Sequence, residues 1–192
     1  PQRDFEDPEA DALKRYVDSG GRLFIALDPD SGATFENLLA PLGLTYTAQT
    51  LAQERGTANI RPPPSIADRH NIATRTFSSH PIATFLGRGQ SPVLFIGAGP
   101  LEEAKQHAAD LSLDFAVRSL TDAWNDTNRN FEFDTGETKK AYGVVVAVER
   151  KQESKTGQKP SRAVVLGDSD AISDLVLANV VGNQYLLVDS FK

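Results

Sequence analysis

Four short stretches of this chain are apolar without interruption: Leu23–Leu27, Val93–Ile96, Val144–Val148 and Ala163–Leu166. A run with no polar alternation suits a strand buried on both faces, as in a parallel sheet. Three of the runs stop abruptly, at Asp28-Pro29-Asp30-Ser31-Gly32, at Gly97-Ala98-Gly99-Pro100 and at Gly167-Asp168-Ser169-Asp170. Helical periods lie between and after them. Leu13, Tyr16 and Val17 share one face, with Asp7 as a cap, Pro8 at the first position and Gly20-Gly21 as the stop. Phe35, Leu38, Leu39 and Leu42 form a second such face, closed by Pro41 and Gly43, and Ile172, Leu175 and Val176 a third. Strands interleaved with helices predict an α/β fold: a layered, mostly parallel sheet flanked by helices, with an added antiparallel hairpin over 143–166. Elsewhere, 44–47 and 72–77 read as strands, His80-Pro81 as a turn into a short helix ending near Phe85, and 113–117 as an alternating edge or half-exposed strand. Residues 50–69, with Gly56 and the donor-poor Pro62-Pro63-Pro64, read as a surface excursion. Residues 121–140 read as a polar loop anchored by Trp124, and 149–160 as an exposed hairpin loop.

A length of 192 residues fits one α/β domain. Hydrophobic content of 40% and charged content of 24% suit an ordinary globular chain. There is no cysteine, which removes disulfides, zinc thiolates and cysteine nucleophiles from consideration. The net charge of −6 argues against a nucleic-acid binder and against adsorption on anionic lipid. No apolar run approaches the roughly 18 residues of a membrane span, and no signal peptide is visible. The chain also lacks methionine, so we expect a fragment excised from a larger protein, whose other segments carry any such span.

Ligands of layered sheets collect beyond the carboxyl ends of the strands. Asp28 and Asp30 follow one strand, and Asp168 and Asp170 another. If the two strands are neighbours, Asp28, Asp168 and Asp170 could share a Mg²⁺ and support phosphate-ester hydrolysis. The competing reading makes them helix caps. The Asp28-x-Asp30 spacing resembles that of haloacid-dehalogenase-type phosphotransferases, but Gly32 stands where Thr or Val is expected. Gly167-Asp168-Ser169 is similar to the nucleophile block of a class of serine lipases. That chemistry needs a histidine base downstream, and His70, His80 and His107 all lie upstream. Gly97-x-Gly99 is a fragment of a dinucleotide fingerprint with Glu102 at the third glycine position, so it reads as a strand-to-helix turn. Asp126, Asn128, Asn130, Asp134 and Glu137 match calcium-loop positions one, three, five, nine and twelve, but Phe131 replaces the glycine at six. The alternative there is a solvated acidic loop. The histidines share no metal spacing.

Several landmarks recur in order. They are Gly20 to Pro29, Leu38 to Leu44, His80-Pro81-Ile82, Trp124-Asn125-Asp126 with Phe133-Asp134, the strand at 143–148, and Val164 to Asp170 followed by Gly182-Asn183 and Leu186 to Phe191. With them the chain resembles the auxiliary extracytoplasmic domain of uncharacterised ABC-type transport systems, which includes the gliding-motility accessory component of the GldG type. The resemblance implies a fold related to class I glutamine amidotransferases and a place on the periplasmic face of the bacterial inner membrane. It implies anchoring by flanking helices outside this sequence, beside an ABC permease, an ATPase or other envelope proteins. The amidotransferase nucleophile is a cysteine, so no catalytic residue carries over. The expectation is a non-catalytic interaction domain without cofactor. The alternatives are the Mg²⁺-dependent phosphohydrolase and an extracytoplasmic glycan- or ligand-sensing module built on loops 50–69 and 121–140.

Overall fold

The structure, a computed structural model, describes residues 3–57, 60–151 and 160–191. Helix α1 spans Asp7–Asp18. Its cap is Glu6 rather than Asp7, in a capping box with Glu9. The Glu9 carboxylate accepts the Glu6 N–H at 2.9 Å, satisfying one of the amides that a helix start leaves orphaned. Gly20 then leaves the helix at φ 92, a conformation that costs glycine little.

Strand β1 (Arg22–Ala26) leads through a 3₁₀ turn at Pro29–Ser31 to α2 (Glu36–Leu39). The expected amphipathic helix is one α turn that tightens into a 3₁₀ turn at Ala40–Leu42. Pro41 has no N–H with which to extend it. Strands β2 (Leu44–Tyr46), β3 (Thr50–Ala52), β4 (Asn71–Thr74) and β5 (Thr76–Phe77) follow, then α3 (Thr84–Gly89). After it come β6 (Val93–Ile96), β7 (Leu101–Glu103), β8 (Leu111–Arg118), β9 (Trp124–Asp126), β10 (Gly143–Arg150) and β11 (Ser161–Leu166). Helices α4 (Asp174–Asn179) and α5 (Val181–Ser190) close the described chain.

The main sheet runs β1-β11-β10-β7-β2, and β8 pairs with both β10 and β5. The fold is mixed α/β, as expected, but the sheet is not mostly parallel. Among the described residues only β1 and β11 run parallel; β10–β11, β10–β8, β10–β7, β2–β7 and β5–β8 are antiparallel. The reason is that an unbroken apolar run reports burial on two faces and says nothing about direction. β10 lies between two packed layers, and Val144, Val145, Val146, Ala147 and Val148 are all buried. The hairpin over 143–166 forms as expected, with Val146 opposite Val165. Its loop at 152–159 lies outside the described residues; Glu149 and Arg150, expected in that loop, belong to β10.

Two cores flank the sheet. On one side Val145, Ala147, Val164 and Leu166 pack with Leu86, Phe95 and Leu186. On the other Val146, Val148, Ala163 and Val165 pack with Val17, Leu38 and Leu39. The period of two along each strand sends alternate residues to the two cores.

Several expectations need correction. The excursion over 50–69 begins with a fully paired strand, β3, whose Leu51 and Ala52 are 0% exposed against β9. The strand over 72–77 is broken at Arg75 into β4, which pairs with β6, and β5, which pairs with β8. Gly97 to Pro100 leads into strand β7, not into a helix. β8 is the half-exposed strand expected, paired along its length with β10 and covered by β5 only at Val117 and Arg118. Trp124 lies in β9 at 0% exposure, so it anchors the 121–140 segment as expected but from within a strand. Leu175, expected on a buried helix face, is 70% exposed, because Val176 takes the inward position.

Candidate functional site

The parallel register places Ala26 beside Leu166, so the chain leaves both strands at one end of the sheet. Asp28 and Asp168 therefore lie at the same end of the sheet, as the sequence allowed. Tyr46 reports the same convergence. Its phenol is buried, and its pKa is pushed far above the usual range, by burial first and then by the charges of Asp28, Asp168 and Asp30.

Each carboxylate is occupied by backbone amides. Asp28 Oδ1 accepts the Asp30 N–H at 2.9 Å and caps the 3₁₀ turn that ends at Gly32, φ 71. Asp168 is 3% exposed. Its Oδ2 accepts from the Ile96 N–H at 2.6 Å, and its Oδ1 accepts from the Asp170 N–H at 2.7 Å. Burial pushes its pKa up to about 7, against the lowering pull of the Ile96, Asp170 and Ala171 amides; the Asp170 charge adds to the rise. Asp170 itself is exposed and starts the 3₁₀ turn Asp170–Ile172. Asp168 thus joins the end of β6 to the end of β11. Among the described residues no group of three His, Asp or Glu side chains is placed to hold a metal ion.

The backbone at this end is packed closely. The Gly99 N–H donates to the Gly167 carbonyl at 2.8 Å. A Cβ on Gly167 would overlap the Gly99 carbonyl oxygen, and one on Gly99 would lie 2.6 Å from the Tyr46 ring. The Gly-x-Gly fragment is therefore a seam between two chain crossings.

The acidic loop after β9 closes on itself. Asp126, 1% exposed, accepts N–H bonds from Asn128 and Arg129 on Oδ1 and from Phe131 on Oδ2, at 3.0, 2.8 and 2.5 Å. Asn128 Oδ1 accepts from the Asn130 N–H, and Asn130 Oδ1 from the Glu132 N–H. Both Asn side chains donate to Asp134 Oδ2 at 2.8 Å. Glu137 accepts from the Thr127 and Asp134 amides, each at 2.9 Å. Phe131 takes φ 56, so it adopts the left-handed conformation for which a calcium loop uses glycine. The five candidate residues do gather, and their oxygens serve the loop's own amides.

Sequence reasoning missed two participants. Tyr46 gave no signal beyond its place in the short strand read over 44–47. Arg129 pairs with Asp30 at 3.5 Å, folding the acidic loop toward the end of β1. The histidines are dispersed in role: His70 contacts the Ala67 carbonyl, His80 accepts the Ile82 N–H, and His107 pairs with Glu103 at 2.9 Å.

The sequence matches no family model and no curated relative. Among solved structures, the mmIFT52 N-terminal domain superposes with a TM-score of 0.66 at 14% identity, covering all 100% of this chain and 72% of that one. At this identity the likeness speaks for the fold alone.

Proposed function

We propose that this chain is a non-catalytic interaction domain of a membrane-anchored ABC transporter accessory subunit, of the gliding-motility type or a related system. In this reading its architecture is a variant of the class I glutamine amidotransferase fold, and it works on the extracytoplasmic face of the membrane beside the permease and ATPase. The observation that carries the reading is an apolar stripe on the outside of α5. Val181, Tyr185, Val188 and Phe191 recur at helical spacing and are 48%, 37%, 56% and 68% exposed. Phe85 of α3 extends the stripe, with its ring centroid 6.0 Å from that of Tyr185. Contiguous apolar surface of this kind marks a site of protein contact. Asp168 supports the same reading, because both of its carboxylate oxygens accept backbone amides, while Asp28 Oδ1 accepts the Asp30 amide.

The test is crosslinking from the natural membrane through a photoreactive group at Val188. Adducts with the permease or ATPase, lost in a Tyr185→Asp variant, are expected. A parent reading frame without membrane helices, or adducts lacking any ABC component, defeats the proposal.

A further inference from the structure

The sheet ends at β1, and the far side of that strand is open. In a parallel ladder alternate residues of a strand direct both their N–H and C=O to one neighbour. Here the Leu27 N–H donates to Leu166, and the Gly21 carbonyl accepts from Arg162. Residues 21, 23, 25 and 27 therefore face β11, and 22, 24 and 26 face outward. The outward groups of Arg22 meet the Tyr16 hydroxyl, at 3.4 Å for both N–H and C=O. Those of Phe24 and Ala26 have no partner among the described residues.

Hollows lie on both faces of the sheet beside this strand, the first extending inward from β1 over β11 and β10. One, of about 170 Å³, lies over Phe24, Val164 and Ala147 and is walled by Pro81, Ile82 and Phe191. An apolar cavity of about 150 Å³ holds a benzene ring, so this one accommodates a side chain. The second, of about 260 Å³, lies on the opposite face between Phe5, Leu13, Leu23 and Leu38. Successive side chains of an added strand point to opposite faces, one toward each hollow. At the start of β1 the exposed Arg22 has no carboxylate partner among the described residues.

We infer that the β1 edge receives an extended segment of a partner protein as an added strand. That segment carries consecutive apolar residues for the two hollows and an acidic residue opposite Arg22. Strand addition draws its affinity from main-chain bonds and its specificity from such pockets. A second copy of β1 fits poorly. Its Leu23 and Ile25 already pack in its own core, and its Phe24 stacks on its own Phe191 at 5.2 Å, so both hollows would stay empty. The inference rests on the reading of this chain as an interaction domain and names a surface that adjoins the α5 stripe at Phe191, which walls the first hollow.

The probe is a fluorescent peptide, Asp-Val-Phe-Val-Leu with a Gly-Ser tail, titrated into the whole chain. Saturable binding is expected, with slowed hydrogen exchange at the Phe24 and Ala26 amides. Ala26→Pro should abolish it, because that N–H points outward and its loss breaks no bond to β11. Arg22→Glu should weaken it about fivefold, the worth of one exposed ion pair. Replacing the probe's Asp by Lys should restore binding to that variant, a result that stands even if the proline variant misfolds. Absent binding, binding indifferent to the charge swap, or sedimentation showing a dimer joined through β1 overturns the inference. If the probe fails while crosslinks at Val188 still reach the transporter, the edge assignment falls and the interaction reading stands.

Discussion

Asp168 shows how one side chain can tie two sheets together at an electrostatic cost. Its folded pKa of about 7 lies above the ordinary 3.8, so the folded state keeps a proton that the unfolded chain has released between those values. The unfolded state then binds fewer protons, and this group's contribution to stability falls as pH rises from about 4 to about 7 and is level beyond. Denaturant melts at pH 5, 6, 7 and 8 should show the parent losing stability relative to Asp168→Asn across that window. Parallel profiles would refute the assignment. At pH 5, where the raised pKa costs the parent least, the Asn variant should be the less stable, because its amide N–H₂ must face one of the backbone donors from which Asp168 accepts, at about 1–3 kcal/mol.

Helix α5 is held to β6 by polar contacts as much as by packing. Asn183, 0% exposed, acts like a neighbouring strand: its Oδ1 accepts the Leu94 N–H at 2.9 Å, and its Nδ2 donates to the Leu94 and Ala171 carbonyls at 2.7 and 2.8 Å. Beside it, a Cβ on Gly182 would overlap the Pro92 carbonyl oxygen, so the helix can approach only where that side chain is missing. Asn183→Asp would turn a carboxylate toward two carbonyls and should cost about 3 kcal/mol or more in urea unfolding. A loss below about 1 kcal/mol would refute the role of the contact. Such contacts mark the limit of what the sequence makes legible. β1, β6, β10 and β11 are plain in it because burial on both faces leaves unbroken apolar runs. β3 is not, because three residues give no period, and its partner Trp124–Asp126 lies more than 70 positions away. The strand-end acids were legible as a cluster because their turns have distinctive composition. Whether their oxygens faced a ligand or the amides of the chain depended on where Ile96 came to rest, which no local pattern encodes.

At the scale of the molecule, the sheet joins the two ends of the sequence. Among the described residues β1 finds its one ladder partner in β11, and both cores need β10. A fragment ending at residue 140 keeps α1–α3 and β1–β9 but loses the centre of the sheet. It should show no cooperative thermal transition by circular dichroism; a sigmoidal melt would show that a subdomain folds alone. The pairing of β1 with β11 also has a mechanical side. Under tension applied at the two ends of the chain, α4 and α5 strip away first. The load then reaches β1 at Arg22 and β11 at Leu166, pulling in opposite senses along parallel strands. All the rungs between them bear the force together in shear, so the last part of the domain to yield under load would be the strand pair at its own margin.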